Sequence, residues 1–235
     1  MKFSNEQIVN ILLENVLIHQ DQTYALYYKY KENSFTKFVG VNDKTNFRLA
    51  SVTKQFIAYG IINLVKLNKL SFDTTIKSIY PDLPDYFNYI KIVNLLNHTS
   101  GLLDYEDYLE NNYSDTKQLK DIDVFNFLKT SDHLYFEVGS KYQYSNTAYI
   151  LLGLIIEKIS GMPIDEYMQK EVFSKASMVD TKVNYQGITN INNRAYGHII
   201  ENDEIIQKDQ YWCSATIGDG GIYSNVSDLH SWIRY

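Results

Sequence analysis

Strand-like and helix-like patterning occupy different parts of this chain, and that segregation limits the fold more than any other feature. From Ser51 to Ser174 the sequence is patterned mainly for helix, whereas the clearest strand patterns precede it. Thr23 to Tyr30 and Phe35 to Val41 read as two strands joined by a polar turn at Lys31-Glu-Asn33. Ile8 to Ile18 reads as an amphipathic helix, because Asn10, Glu14 and Asn15 interrupt its apolar residues. Two strongly apolar helices follow. One runs from Gln55 to Leu67; the other, Tyr149 to Ser160, has Lys158 in its last turn and Gly161 as its stop. The expectation is an α+β fold in one domain spanning 1–235, with a mainly helical region over residues 68–175.

Shorter elements fill the intervals. Lys69 to Pro84 is a connection in which Pro81-Asp-Leu-Pro84 marks a loop. Ile90 to Leu96 is a short helix ended by His98-Thr-Ser-Gly101, with Gly101 suited to a left-handed stop. Tyr105 to Lys120 is polar and acidic and is expected on the surface, and Asp123 to Lys129 forms a further helix. Pro163 opens the next, with Asp165 and Glu166 in its first turn. Thr181 to Gln207 is irregular or strand-like, Gly218 to Gly221 is a tight turn, and a last helix begins at Asp228.

Bulk properties exclude several classes. A formal net charge of −6 leaves no basic stripe to hold phosphates, which argues against nucleic acid as partner. The single cysteine, Cys213, cannot form an internal disulfide and reads as a half-buried apolar residue. Met1 to Gln7 does not resemble a secretory signal, and no run approaches the roughly 18 apolar residues of a membrane span. The expectation is a soluble, cytoplasmic protein with no membrane partner. His19, His98, His133, His198 and His230 are not spaced as zinc ligands, so neither a metal nor another cofactor is expected.

The chemistry concentrates around Ser51-Val-Thr-Lys54. Residue i+3 shares a helix face with residue i, so Lys54 lies beside the Ser51 hydroxyl and can take up its proton. The Ser-x-x-Lys pattern alone is weak, because it recurs at Ser34–Lys37 and Ser114–Lys117; only the copy at Ser51 opens an apolar helix. A second element is Tyr144-Ser-Asn146, where Ser145 or Asn146 can cap the helix that follows. The neighbouring phenol of Tyr144 then projects into a cleft, where a lysine ammonium favours its phenolate. Together these residues form a proton network. Ser51 attacks an acyl carbon, Lys54 and Tyr144 shuttle the proton, and Asn146 holds Lys54 or a substrate amide.

Five landmarks occur in a characteristic order. They are Phe47-Arg-Leu-Ala-Ser-Val-Thr-Lys54, Leu95-Leu-Asn-His-Thr-Ser-Gly-Leu102, Tyr142-Gln-Tyr-Ser-Asn-Thr-Ala-Tyr149, Leu151-Leu-Gly-Leu-Ile-Ile-Glu-Lys-Ile-Ser-Gly-Met162 and Gly220-Gly-Ile-Tyr-Ser-Asn-Val-Ser-Asp-Leu229. On these the chain resembles the serine β-lactamase and penicillin-binding protein superfamily, in the class C-like branch that includes D,D-peptidases, D-aminopeptidases and esterases. The resemblance implies a β-lactamase/transpeptidase-like fold, an antiparallel sheet flanked by helices with a mainly helical subdomain. It also implies a nucleophile at Ser51, its lysine partner at Lys54, a class C-type base at Tyr144 and a substrate-binding Asn146. His98 then belongs to a helix-ending loop near the cleft. A class A acidic deacylation loop has no counterpart, since Glu106 to Asn111 precedes the second motif. Val138 stands before Gly139 where relatives usually have proline.

One family element is absent from the sequence. The pattern has a third motif, a Lys/His-Thr/Ser/Gly-Gly triplet on a later strand, and no such triplet occurs between Met1 and Tyr235. That strand supplies the second oxyanion N–H, the first coming from Ser51 itself, and a group for the substrate carboxylate. Losing one oxyanion donor costs on the order of a hundredfold in rate or more. The expectation is therefore an incomplete copy of the fold lacking its C-terminal strands, with a bare hairpin edge open to self-association and a last helix short of packing partners. Two functions compete. One is a serine hydrolase acting on a small-molecule or peptide amide, lactam or ester. The other is an impaired acyl-binding or interaction protein, or a truncated remnant.

Overall fold

The computed structural model of the chain describes residues 4–16, 23–187, 189–202 and 204–235. Helix α1 (Asn5–Val16) precedes an antiparallel hairpin, β1 (Tyr24–Tyr30) and β2 (Asn33–Val39), in which Tyr24 faces Val39 and Tyr30 faces Asn33. The end of the helix expected to reach Ile18, and His19, lie outside the described residues. Strand β3 (Phe47–Arg48) then leads through a 3₁₀ turn at Ala50–Val52 into α2 (Thr53–Lys66). Helices α3 (Ile76–Ile79), α4 (Ile92–Leu96), α5 (Glu106–Leu109), α6 (Asp121–Thr130), α7 (Asn146–Ser160) and α8 (Ile164–Met168) follow. A π-helical turn, Gln169–Phe173, extends α8. The remainder comprises β4 (Lys182–Val183), β5 (His198–Glu201), β6 (Glu204–Gln207), β7 (Ile222–Ser224) and α9 (Val226–Arg234).

The expected α+β segregation is found, since no strand interrupts α2 to α8. The strands form three small antiparallel sheets: β1–β2, β3–β7–β4 and β5–β6. Strand β7 was hidden in the sequence because all three of its residues are buried, so no alternation marks it. It carries the chain from the Gly218–Gly221 turn back alongside β3, where Arg48 pairs with Tyr223, and so brings that turn beside Ser51.

The core forms where α2 and α7 cross. Helix α7 is buried almost all round, Thr147 to Gly153 and Ile155–Ile156 included, which fits a helix apolar on every side. Gly60 of α2 allows the approach, because a Cβ there would lie 2.9 Å from Ile156 Cδ1. Of the two candidate caps, Ser145 is the one used, its Oγ accepting the Ala148 N–H at 3.1 Å, and Gly161 ends the helix at φ +72° as expected. Helix α9 has partners. Its Trp232 ring lies 4.7 Å from Phe56, its Nε1–H donates to Gln55 Oε1, and His230 sits against Tyr27 of β1. Among the described residues, β1 and β2 pair only with each other, and no single helix is long and apolar enough to cross a membrane.

Two local expectations are corrected. The chain turns left-handed after α4 at His98 (φ +57°), two residues past its last helical residue, so His98 rather than Gly101 marks the stop. Gly101 also has positive φ, and a Cβ there would meet the Phe136 carbonyl oxygen at 2.3 Å; its role is close approach of two backbones. The segment from Tyr105 to Lys120 is not wholly a surface one. Tyr105 and Leu119 are fully buried, Tyr105 because its hydroxyl finds a carboxylate partner inside.

The Gly218 turn packs directly on α7. A Cβ on Gly218 would lie 2.3 Å from the Tyr149 carbonyl oxygen and 2.6 Å from Ile150 Cα, both backbone atoms of α7. Asp121, at the start of α6, accepts the N–H groups of Ile217 and Gly218, and burial pushes its carboxyl up to about 8. Gly218→Ala is predicted to destabilise the fold by about 2 kcal/mol or more, since α7 backbone cannot yield as a side chain can. Chemical denaturation of the variant beside the parent protein checks this.

Candidate active site

Ser51 occupies the 3₁₀ turn that feeds α2 and is exposed to solvent. The preceding residue, Ala50, has φ +45°, an unfavourable value for a residue with a Cβ, beside the Gly220 backbone. One turn after Ser51, at the start of α2, Lys54 is only 6% exposed. Its ammonium donates to Ser51 Oγ at 3.2 Å, to Asn146 Oδ1 at 2.8 Å and to the Asp219 carbonyl oxygen at 2.9 Å. All three of its N–H groups are thereby used. It also lies 4.8 Å from the centroid of the Tyr144 ring.

The Tyr144 hydroxyl donates to Ser51 Oγ at 2.6 Å. Its ring is held by the imidazole of His98, stacked at 4.7 Å. The Ser145 N–H donates to His98 Nδ1 at 3.1 Å, which places the imidazole proton on Nε2. His98 thus supports the site through Tyr144 and touches neither Ser51 nor Lys54. The structure therefore brings together all four residues singled out in the sequence: Ser51, Lys54, Tyr144 and Asn146.

Three acidic residues that the sequence pattern does not point to complete the surroundings. Asp104 Oδ2 accepts the backbone N–H of Asn146 at 2.7 Å, and Glu106 Oε1 accepts its side-chain Nδ2–H at 3.1 Å. Both carboxyls sit at the N-terminus of α7, where the helix dipole favours negative charge. The third, Asp219, accepts the Tyr105 hydroxyl on Oδ2 at 2.8 Å while its backbone carbonyl holds Lys54. With Lys54 on its Oδ1 and Glu106 on its Nδ2, the Asn146 amide has one orientation. The available signal was the placement of Asp104 and Glu106 just after the His98–Leu102 landmark.

The remaining residues considered in the sequence make none of these contacts with Ser51, Lys54, Tyr144 or Asn146. His133 pairs with the adjacent Asp132 on the surface, and His198 lies exposed on β5. Cys213 is half-buried, and burial pushes its thiol up, away from reactivity. Among the described residues no group of three His, Cys, Asp or Glu could hold a metal ion. A cavity of about 710 Å³ lined by Met162, Asp165, Gln169, Lys182 and Val183 lies by α8 and contains none of the four site residues.

Burial first, and the Lys54 charge second, hold the His98 imidazole below its ordinary value of 6.5. A depressed folded value means the neutral ring adds stability at pH above about 6.5, and that contribution is lost as pH falls through the lower folded value. An NMR titration of His98 is predicted to give a midpoint below 6.5 that moves upward in Lys54→Met. A midpoint at or above 6.5 would contradict the arrangement.

A family model described as Beta-lactamase matches residues 16–235. Penicillin-binding protein 4* of Bacillus subtilis (strain 168) is 33% identical over 200 residues, covering 79% of this chain and 44% of that protein. The chain spans less than half the length of the curated relatives it matches. Among solved structures, a penicillin binding protein from Bacillus halodurans is 27% identical with a TM-score of 0.75, over 89% of this chain and 68% of that one. A D-amino acid amidase from Ochrobactrum anthropi SV3, complexed with L-phenylalanine, is 26% identical with a TM-score of 0.75, over 89% and 62%.

Proposed function

The chain belongs to the Beta-lactamase family, and from that membership and the site geometry we propose that it is a serine hydrolase of the class C-like branch, cleaving an amide, lactam or ester through an acyl-enzyme on Ser51. The observation that carries this reading is the pair of contacts on Ser51 Oγ, Lys54 Nζ at 3.2 Å and the Tyr144 hydroxyl at 2.6 Å. Two proton carriers on one exposed hydroxyl are what an activated serine requires. Similarity to a D-amino acid amidase and to penicillin-binding proteins supports an acyl-transfer substrate range.

Both Lys54 and Tyr144 donate to Ser51 Oγ in the structure. Removal of one proton from that pair reverses one of these bonds, so that the serine O–H donates to a phenolate or an amine. Ser51 Oγ then attacks the substrate carbonyl carbon as its proton passes to Tyr144 or Lys54. The tetrahedral adduct collapses by expelling an amine or alcohol, which takes that proton and leaves an ester on Ser51. Water enters by the same route and releases the acid. Asn146 keeps Lys54 on line, and His98 keeps the Tyr144 ring from swinging away.

Intact-mass spectra after treatment with a fluorophosphonate, and separately with a penicillin, test this. The expected result is one adduct per chain that is absent in Ser51→Ala. Acylation should slow by about a thousandfold in Lys54→Ala and about a hundredfold in Tyr144→Phe, the range typical of proton-transfer groups. A folded protein that takes no adduct from either reagent would overturn the proposal.

A further inference from the structure

Tyr144 meets Ser51 from an irregular segment, residues 141–145, that neither helix nor strand fixes. One residue holds it there. The His98 carbonyl oxygen accepts the Gln143 N–H at 2.9 Å, its Nδ1 accepts the Ser145 N–H at 3.1 Å, and its ring stacks on the Tyr144 ring at 4.7 Å. His98 makes these contacts from a left-handed backbone, φ +57°. They fall on three consecutive residues, so Tyr144 is bracketed by bonds to a single neighbour.

One of these contacts depends on protonation. A backbone carbonyl accepts at any pH, whereas Nδ1 accepts only while it carries no proton. An imidazolium has N–H on both nitrogens, so proton uptake sets two N–H groups against each other across the 3.1 Å contact. Ser145 is 4% exposed, and its N–H would be left buried without an acceptor, which is costly. The displacement is directed upstream. Downstream, Asp104 Oδ2 holds the Asn146 N–H at 2.7 Å and the Ser145 Oγ caps Ala148, which pins the start of α7. Upstream lies Tyr144, 43% exposed, whose hydroxyl reaches Ser51 Oγ at 2.6 Å. We propose that His98 is a positioning residue that keeps Tyr144 on Ser51 only while its Nδ1 is unprotonated, so that proton uptake there releases Tyr144 and switches acylation off. The inference rests on the acyl-transfer reading of Ser51 and adds a protonation switch to it.

The groups that face the imidazole keep it neutral at neutral pH. They are the Lys54 ammonium from α2, the phenols of Tyr142 and Tyr144 from the segment before α7, and the phenol of Tyr149 from α7 itself. Among the described residues no ion pair gives His98 a carboxylate partner. Burial and the Lys54 charge hold the ring below 6.5, so the contact is complete above that pH and is lost as pH falls through the lower folded value.

The test compares the rate of fluorophosphonate labelling of Ser51 with an NMR titration, both between about pH 8 and about pH 5, where histidine titrates. Labelling is expected to fall with the midpoint of the His98 imidazole, and the Ser145 amide and Tyr144 ring signals should shift at that midpoint too. His98→Asn keeps an acceptor beside Ser145, tolerates positive φ and takes up no proton. It loses the ring stack, so it is expected to label about tenfold more slowly than the parent at pH of about 8, with no fall at the parent's midpoint. His98→Leu loses stack and acceptor together and should be slower still. The carboxyls of Asp104 and Glu106, held above their usual range first by burial, also titrate in acid and remain in both variants. A fall that persists in His98→Asn at the parent's midpoint belongs to them and overturns the inference. So does a labelling midpoint in the parent that differs from the imidazole's, a comparison that decides the matter even if His98→Asn fails to fold. An inert Ser51 whose Ser145 and Tyr144 signals follow the imidazole removes the hydrolase reading alone. A labelled Ser51 whose Ser145 and Tyr144 signals ignore the imidazole removes the switch alone.

Discussion

A buried ammonium organises this protein. Removing a lysine charge from water is costly unless every donor finds an acceptor, and Lys54 meets that condition with three acceptors from distant parts of the chain. Ser51 belongs to the turn before α2, Asn146 opens α7, and Asp219 belongs to the turn before β7. Each must be held to within a fraction of an ångström, and the core supplies the means. Gly60 lets α7 and α8 close on α2; Gly218 lets its turn lie on the α7 backbone; Asp121 takes the N–H groups that the turn leaves free. Packing and site are thus one arrangement, since the contacts that bury Ile156 and Tyr149 also set where the lysine acceptors lie.

Around that centre the chain accepts local strain. Ala50 and His98 both adopt positive φ, at +45° and +57°, and each precedes or holds a residue of the site: Ala50 precedes Ser51, and His98 holds the Tyr144 ring. Positive φ at a residue with a Cβ costs on the order of 1 kcal/mol or more and persists only where surrounding contacts enforce it. Here they do so through the Gly220 backbone beside Ala50 and the Ser145 N–H on His98.

The sequence disclosed the parts of this arrangement that are local. Ser51 and Lys54 are three residues apart on one turn; Ser145 caps the helix it begins; Gly161 follows the helix it ends. Each depends on neighbours within a few residues, which is the range over which side-chain pattern carries information. Tyr144 and Asn146 came first from the local cap pattern Tyr144-Ser-Asn146, weak by itself, and gained weight from the order of five landmarks along the chain. The acidic surround was not legible because it is assembled from afar. Glu106 lies 40 residues from the Asn146 it orients, and Asp219 lies 165 from the Lys54 it accepts. Tyr105 read as surface because tyrosine in an acidic stretch gives no sign of an interior carboxylate 114 residues away. Strand β7 failed for a third reason, being three residues long and buried throughout.

The central claim is that Lys54 and Tyr144 act on Ser51 as one unit rather than as two separate aids. A double-mutant cycle on the rate of Ser51 acylation by a fluorophosphonate measures this directly, using Lys54→Ala, Tyr144→Phe and the combined variant. Residues that work as a unit lose their function together, so the combined variant is predicted to be no slower than Lys54→Ala alone. Losses that simply multiply, the double variant slowed by the product of the two single effects, would contradict the account.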